Sequence, residues 1–408
     1  MELSRLKEYA RLLAAKGVNV EKGDEVWIYT QASQIELVRL VAEECYKLGA
    51  KKVRTELTDD VLERLSYQYM TLAELGKAPE YVIAEYRYMV KHRPSTIYIA
   101  SENPDALKGI SQTKIIKSGT KFRKRVKKYR NALDGKNKWC IAAAPSLAWA
   151  KKVFPKLSDE EAIEALWDAI LTTSRVDGND AVENWNKHNA NLKEHRKKLE
   201  ALNLQYLEYK ASNGTDFKVE LNKGCLWGGG TEFTDLKKEF NPNIPSEEVF
   251  TSPKAGSADG IVYASKPLSY NGQLIDGFSI KFENGKVTEV KAKKNQKLLE
   301  QMVKMDEGAS MLGEVALVPY DSPICQSGIL FYETLFDENA ACHLALGLGF
   351  KETILGGLEL STEEAKERGI NDSMIHVDFM IGTKDMEIVG TSFDGQKTVI
   401  FKDGNWAI

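Results

Sequence analysis

Long hydrophobic runs are missing from this 408-residue chain: none approaches the roughly 18 apolar residues that a membrane-crossing helix needs. Mean hydropathy is negative, and no membrane partner is expected. An excess of positive charge is missing too, because 56 Lys and Arg stand against 59 Asp and Glu. The resulting net charge of −3 leaves no basic footprint for a nucleic acid. Cysteines are few, odd in number and scattered (Cys45, Cys140, Cys225, Cys325, Cys342), which suits reduced thiols and not a disulfide framework. The opening MELSRLKEYARLLAAKG is a charged amphipathic helix without the apolar core of a signal peptide, so a cytoplasmic protein is expected. No internal repeat or low-complexity segment occurs.

What is present, 43% hydrophobic residues over this length, is enough for large cores and two domains. The first, residues 1–202, alternates strands and helices. GDEVWIYT, KKVRTELTD, STIYIASE and KWCIAAAP read as strands, with helices between them and two helical stretches near 59–92. Such alternation implies a Rossmann-like α/β domain with a mainly parallel sheet. Its first strand-to-helix turn, TQASQ, has no glycine-rich nucleotide loop, so a pyrophosphate has no close backbone approach. The basic run 121–130 reads as a solvated helix face. His188 and His195 lie near one face of a later helix, among Lys, Asn and Arg, where a solvated face is the stronger reading than a metal pair. The second domain, residues 203–408, is α+β and β-rich: short alternating strands are broken by N-G, E-N-G and D-G turns, the marks of antiparallel hairpins.

The chemistry concentrates in the last third. Read as a strand, SMIHVDFMIG sends Ile375, Val377, Phe379 and Ile381 to one face and His376 with Asp378 to the other. That pair can reach one cation, or the Asp can simply orient a buried His; the dipeptide spacing alone leaves both open. FDENAACHLALGLGF reads as a short helix or buried turn. Glu338 and His343 do not share a regular helix face, so joint ligation needs Glu338 before the helix and His343 within it; the alternative is acids on a helix dipole. Glu314 enters the apolar strand GEVALV, where a carboxylate needs a salt bridge or a metal. Glu247 and Glu248 lie between Pro245 and Pro253, in what is ordinarily an exposed turn. Cys342 adjoins His343, but adjacent residues seldom point the same way, and a filler thiol is preferred to a nucleophile.

NIPSEEVFTSP, DEGASMLGEVALVPYDSPI, FYETLFDENAACHLALG and SMIHVDFMIG, taken in order, resemble the signature blocks of the aminopeptidase T / aminopeptidase S family of cocatalytic metallopeptidases. The resemblance extends to KGDEVWIYT, SRVDGNDAVENWNKHNANL and WGGG, and so runs through the whole chain. It implies a C-terminal metallopeptidase domain whose metal ligands are Glu248, Glu314, Glu338, His343, His376 and Asp378. Such a set suits two divalent ions (zinc, cobalt or manganese) sharing bridging carboxylates, for which Glu314 and Asp378 are the expected choices. A metal-activated water would then release the N-terminal residue of short peptides with a free N-terminus, and Glu247 or a ligand Glu would carry the proton. A homodimer with sites facing an internal cavity is also implied, the first domain shaping cavity and dimer. One position departs: where the family carries a tyrosine, this chain has Phe350, which cannot donate a hydrogen bond to a developing oxyanion. Tyr332 replacing it, a slower enzyme, a shifted substrate and an inactive peptide-binding homologue are the alternatives this raises, and a different dinuclear hydrolase acting on esters or amidated metabolites is a separate one.

Overall fold

A computed structural model describes residues 2–270 and 272–408. The Asn271 of the expected Asn271-Gly272 turn therefore lies outside the described residues. Contacts group the chain into two compact units, Met1–His188 with Thr231–Pro245, and Asn189–Gly230 with Ser246–Ile408. The first crossing thus falls at His188, ahead of residue 202, and 231–245 returns to the first unit. That return was not visible in the sequence because its strands, Glu232–Phe233 and Glu239–Phe240, are too short to show a period.

In the first unit four parallel strands stand in the order Lys52–Thr58, Glu25–Gln31, Ser95–Ala100, Trp139–Ala143. Glu25–Gln31 is buried nearly throughout because it has a neighbour on each side, whereas the edge strand Lys52–Thr58 is largely exposed. After Gln31 the glycine-free turn is knitted by side chains: Gln34 Nε2 donates to Ser101 Oγ (2.8 Å) and to the Pro145 carbonyl (2.9 Å). Residues 59–92 form three helices where two were expected, Asp60–Tyr69, the single turn Leu72–Leu75 and Glu80–His92. In helix Gln112–Leu133 the basic residues of 121–130 are exposed and Val126 faces inward, a solvated charged face.

In the second unit, among the described residues, nine strands form one antiparallel sheet and four form another. The turns of the larger sheet follow their residue types. Asn284-Gly285 and Asp403-Gly404 both place two successive residues at positive φ (50° and 77°, 50° and 71°), the requirement of a two-residue type I′ hairpin. The smaller sheet runs, in spatial order, His376–Met380, His343–Gly347, Leu312–Leu317, Val249–Thr251. Its two faces differ in chemistry. Val315, Leu317, Leu344, Leu346, Val377 and Phe379 point into a core shared with Leu207, Phe217, Phe278 and Ile280 of the larger sheet. Burying each such side chain contributes about 1.5–3 kcal/mol, which holds the backbone beneath the opposite face rigid. The alternate residues Glu314, His343, His376 and Asp378 occupy that opposite face.

One expectation is corrected here. The ACHLALG stretch is not helical: Glu338 ends the helix Thr334–Glu338, and His343 opens a strand. All five residues of His343–Gly347 are buried, because the strand is central and covered on both faces. A short, uniformly apolar run of that kind carries no period to separate strand from helix.

Candidate metal centre

The register of the small sheet assembles the site. Glu314 pairs with Ala345, Ala345 pairs with Asp378, and Gly347 pairs with His376. Two carboxylates thus flank an alanine whose methyl group leaves the space above it to their oxygens. His343 lies opposite Ala316, which in turn lies opposite Phe250, with Glu248 just ahead on the same strand edge. Two groups of donor atoms result, each within 4.8 Å: Glu248, Glu314 and His343, and Glu314, His376 and Asp378. Glu314 belongs to both.

The contacts are close. His343 Nε2 lies 3.2 Å from Glu248 Oε2, and His376 Nε2 lies 3.0 Å from Glu314 Oε2 and 3.1 Å from Asp378 Oδ1. On the far side of each ring, Nδ1 donates to a backbone carbonyl, Ala341 for His343 (3.1 Å) and Leu348 for His376 (2.7 Å). A carbonyl only accepts, so Nδ1 keeps its proton and Nε2 is the nitrogen turned to the carboxylates, the arrangement of metal-binding histidines. Of the five side chains His376 is the most open, 23% exposed against 1–9% for the others.

Charge in this site is strongly perturbed. Burial pushes Glu314 up to about 7, with the hydrogen bond from His376 opposing and the charges of Glu248 and Asp378 adding to the rise. Glu338 is raised well above the carboxylate range by burial and by Asp378, Glu248 and Glu314. At Asp378 burial also acts upward, but His376 outweighs it and leaves about 2. Burial disfavours the charged imidazole at His343, yet Glu248 prevails and lifts it to about 9; His376 is raised well above its usual value, Asp378 and Glu314 prevailing over burial. Buried acids in this number need positive charge nearby, which the imidazolium protons supply and a divalent ion would replace. The donor set fits such an ion: Asp378 Oδ1 is buried with no partner of good hydrogen-bond geometry and lies 3.1 Å from His376 Nε2. Mixed carboxylate and imidazole ligands suit zinc, cobalt or manganese.

The remaining expected residues lie around this set. Glu338 is in neither donor group but borders it through a hydrogen bond with Asp378. Glu247 is buried, belongs to neither group, and its backbone N–H donates to Asn339 Oδ1 at 2.7 Å. The Phe350 ring packs against His376 (centroids 4.8 Å apart) and against Phe250 (5.4 Å). Tyr332 is half-buried, at positive φ (59°), two residues ahead of the helix Thr334–Glu338. The two helix histidines do not lie on a solvated face, because aromatic partners cover them: His188 is buried against Trp185, and His195 stacks on Trp406 at 4.2 Å. Neither joins a metal-binding group among the described residues.

Several supporting groups had no signal in the sequence. The Leu348 and Ala341 carbonyls are backbone and carry no residue identity. The WGGG segment does carry one, namely close backbone approach. Gly228 exchanges backbone hydrogen bonds with Phe250, and a Cβ on Gly229 (φ +127°) would lie 2.3 Å from the Glu248 carbonyl oxygen. Gly229→Ala is expected to cost about 1–3 kcal/mol, from the backbone strain and the displaced Glu248 segment, read as a lower unfolding temperature and weaker metal binding. An unchanged unfolding temperature would show that the approach is not required.

Buried carboxylates and imidazoles on one sheet face form a cluster that could hold a metal ion, and the comparisons give the class of protein. A profile of the family described as thermophilic metalloprotease (M29) matches residues 3–406. Aminopeptidase AmpS of Bacillus subtilis (strain 168) is 41% identical over 404 residues, covering 99% of this chain and 98% of that one. Aminopeptidase 2 of Geobacillus stearothermophilus is 39% identical over 403 residues, covering 98% and 97%. The solved structure of wild-type AmpT from Thermus thermophilus superposes with a TM-score of 0.91 at 35% identity, covering 99% of both chains. The chain belongs to the M29 metalloprotease family, among its aminopeptidase S and T members. It is a hydrolase of the metallopeptidase class, and membership implies a divalent metal cofactor. No helix among the described residues is long and apolar enough to cross a membrane.

Proposed function

We propose that this protein is a metallo-aminopeptidase that releases the N-terminal residue of short peptides with two divalent ions, zinc, cobalt or manganese. The observation that carries the dinuclear reading is Glu314, whose carboxylate belongs to both donor groups. Glu248 and His343 would hold one ion, His376 and Asp378 the other, with Glu314 between them and Glu338 bordering the set through Asp378. Bound ions supply Lewis-acid polarisation of the scissile carbonyl and a water of lowered pKa. The residues do the rest. Leu348 and Ala341 hold the two imidazoles with Nε2 inward. The more open His376 and Phe350 mark the side from which a peptide reaches the centre. Acidic surroundings favour a protonated α-amino group, and Glu247, a buried acid outside both donor groups, is our choice to pass the water proton to the leaving amine. A homodimer and a cavity-shaping role for residues 1–202 belong to the same proposal, supported by the family resemblance, as does a cytoplasmic location, supported by the charged N-terminal helix.

The test is release of N-terminal residues from a panel of short peptides by metal-depleted protein, before and after adding zinc, cobalt or manganese. Release that requires metal supports the reading. Binding of about two ions with no release from any peptide would remove the peptidase and leave a metal-stabilised binding protein.

A further inference from the structure

We propose that Asn339 is a positioning residue of the metal centre, tying the Glu247-Glu248 segment to the helix end that carries Glu338. The inference rests on the metallo-aminopeptidase reading of the site. Asn339 is fully buried. Its Oδ1 accepts the Glu247 backbone N–H at 2.7 Å, while its Nδ2 donates to the Leu335 carbonyl at 2.9 Å and to Glu338 Oε1 at 3.4 Å. The orientation of the carboxamide is fixed by chemistry. An N–H can only donate and a carbonyl can only accept, so oxygen must face Glu247 and nitrogen must face Leu335. With the amide so held, its second N–H falls to the Glu338 carboxylate.

The consequence is geometric. Glu248 lies one residue beyond the anchored amide, at the start of the strand Val249–Thr251, and Glu338 is the last residue of the helix Thr334–Glu338. These two acids are remote in sequence, and Glu248 lies just ahead of the strand Val249–Thr251. The Asn339 side chain links the two, and no other common residue offers an acceptor and two donors in so short a reach. Residues that orient metal ligands without touching the ion typically set affinity by 10–100-fold. Asn339 acts through Glu248 and Glu338.

Titration of full-length, metal-depleted protein with cobalt(II) alone tests this. Asn339→Leu, similar in volume, is expected to raise the cobalt dissociation constant about 10–100-fold. Ser322→Ala removes a hydroxyl that donates to the Asn339 backbone carbonyl (3.3 Å) and leaves the carboxamide in place, so it is expected to stay within about threefold of wild type. A purely structural asparagine would lower the unfolding temperature of the metal-free variant and leave the dissociation constant unchanged; that outcome overturns the proposal. Should Asn339→Leu not fold, amide exchange of the wild type reads the same link. Cobalt is expected to slow exchange in peptides spanning 244–249 and 334–341 together, and slowing in only one of them overturns it. Wild-type protein that binds no cobalt and releases no residue from peptides would overturn the metallo-aminopeptidase reading itself. Wild-type binding with an unaffected variant overturns only the role of Asn339.

Discussion

Glu314→Gln is expected to reduce kcat/KM by at least about 10³-fold, which corresponds to roughly 4 kcal/mol of transition-state stabilisation. Glutamine keeps the volume of the side chain, so the strand Leu312–Leu317 and the core beneath it should stay folded. What it removes is the charge shared by both donor groups. It also turns an amide donor toward His376 Nε2, now 3.0 Å from a carboxylate oxygen. Asp378→Asn provides the contrast, because Asp378 belongs to one group only. Bound metal per chain, measured after dialysis, is expected to fall to near zero in Glu314→Gln and to about one ion in Asp378→Asn. A Glu314→Gln protein that keeps two ions and most of its activity would rule out the shared carboxylate.

This contrast exists because the fold separates apolar and polar residues by strand period, and that is also what made part of the site legible. His376 and Asp378 were readable as a pair because Ile375, Val377, Phe379 and Ile381 alternate with them, and all four are in the core. The parallel sheet of the first unit was readable from its alternation with helices. The hairpins were readable from Asn-Gly and Asp-Gly. By contrast the strand of His343 looked like a helix or turn, because burial on both faces erases alternation. Local pattern could not say that Glu248, Glu314, His343 and His376 meet, since the meeting depends on antiparallel pairing across long sequence separations; the family resemblance supplied it. Nor could it find Asn339, whose role lies in a backbone N–H and a carbonyl brought to it by folding. The segment 231–245 escaped for a different reason, its two-residue strands being shorter than any period.

Phe350→Tyr is expected to raise kcat by about 10²-fold, the lower end of what one oxyanion donor contributes. The expectation combines the resemblance, which places a tyrosine at this position, with the geometry of the phenylalanine that occupies it. Three contacts fix the residue: its N–H donates to Ser252 Oγ at 2.7 Å, Phe250 meets it edge-on, and its ring lies 4.8 Å from that of His376. A tyrosine ring can keep the same contacts while adding a hydroxyl at the ring's far end. The residue is half-buried, not part of the closed core. A donor that acts on charge developing in the transition state raises kcat and leaves KM nearly unchanged. Metal content should also stay that of the wild type, since Phe350 belongs to neither donor group. An unchanged kcat at unchanged metal content would mean that another donor already serves the oxyanion. Tyr332→Phe would then be expected to lower kcat by a similar factor, and its failure to do so would leave the metal ions to stabilise the oxyanion without a phenol.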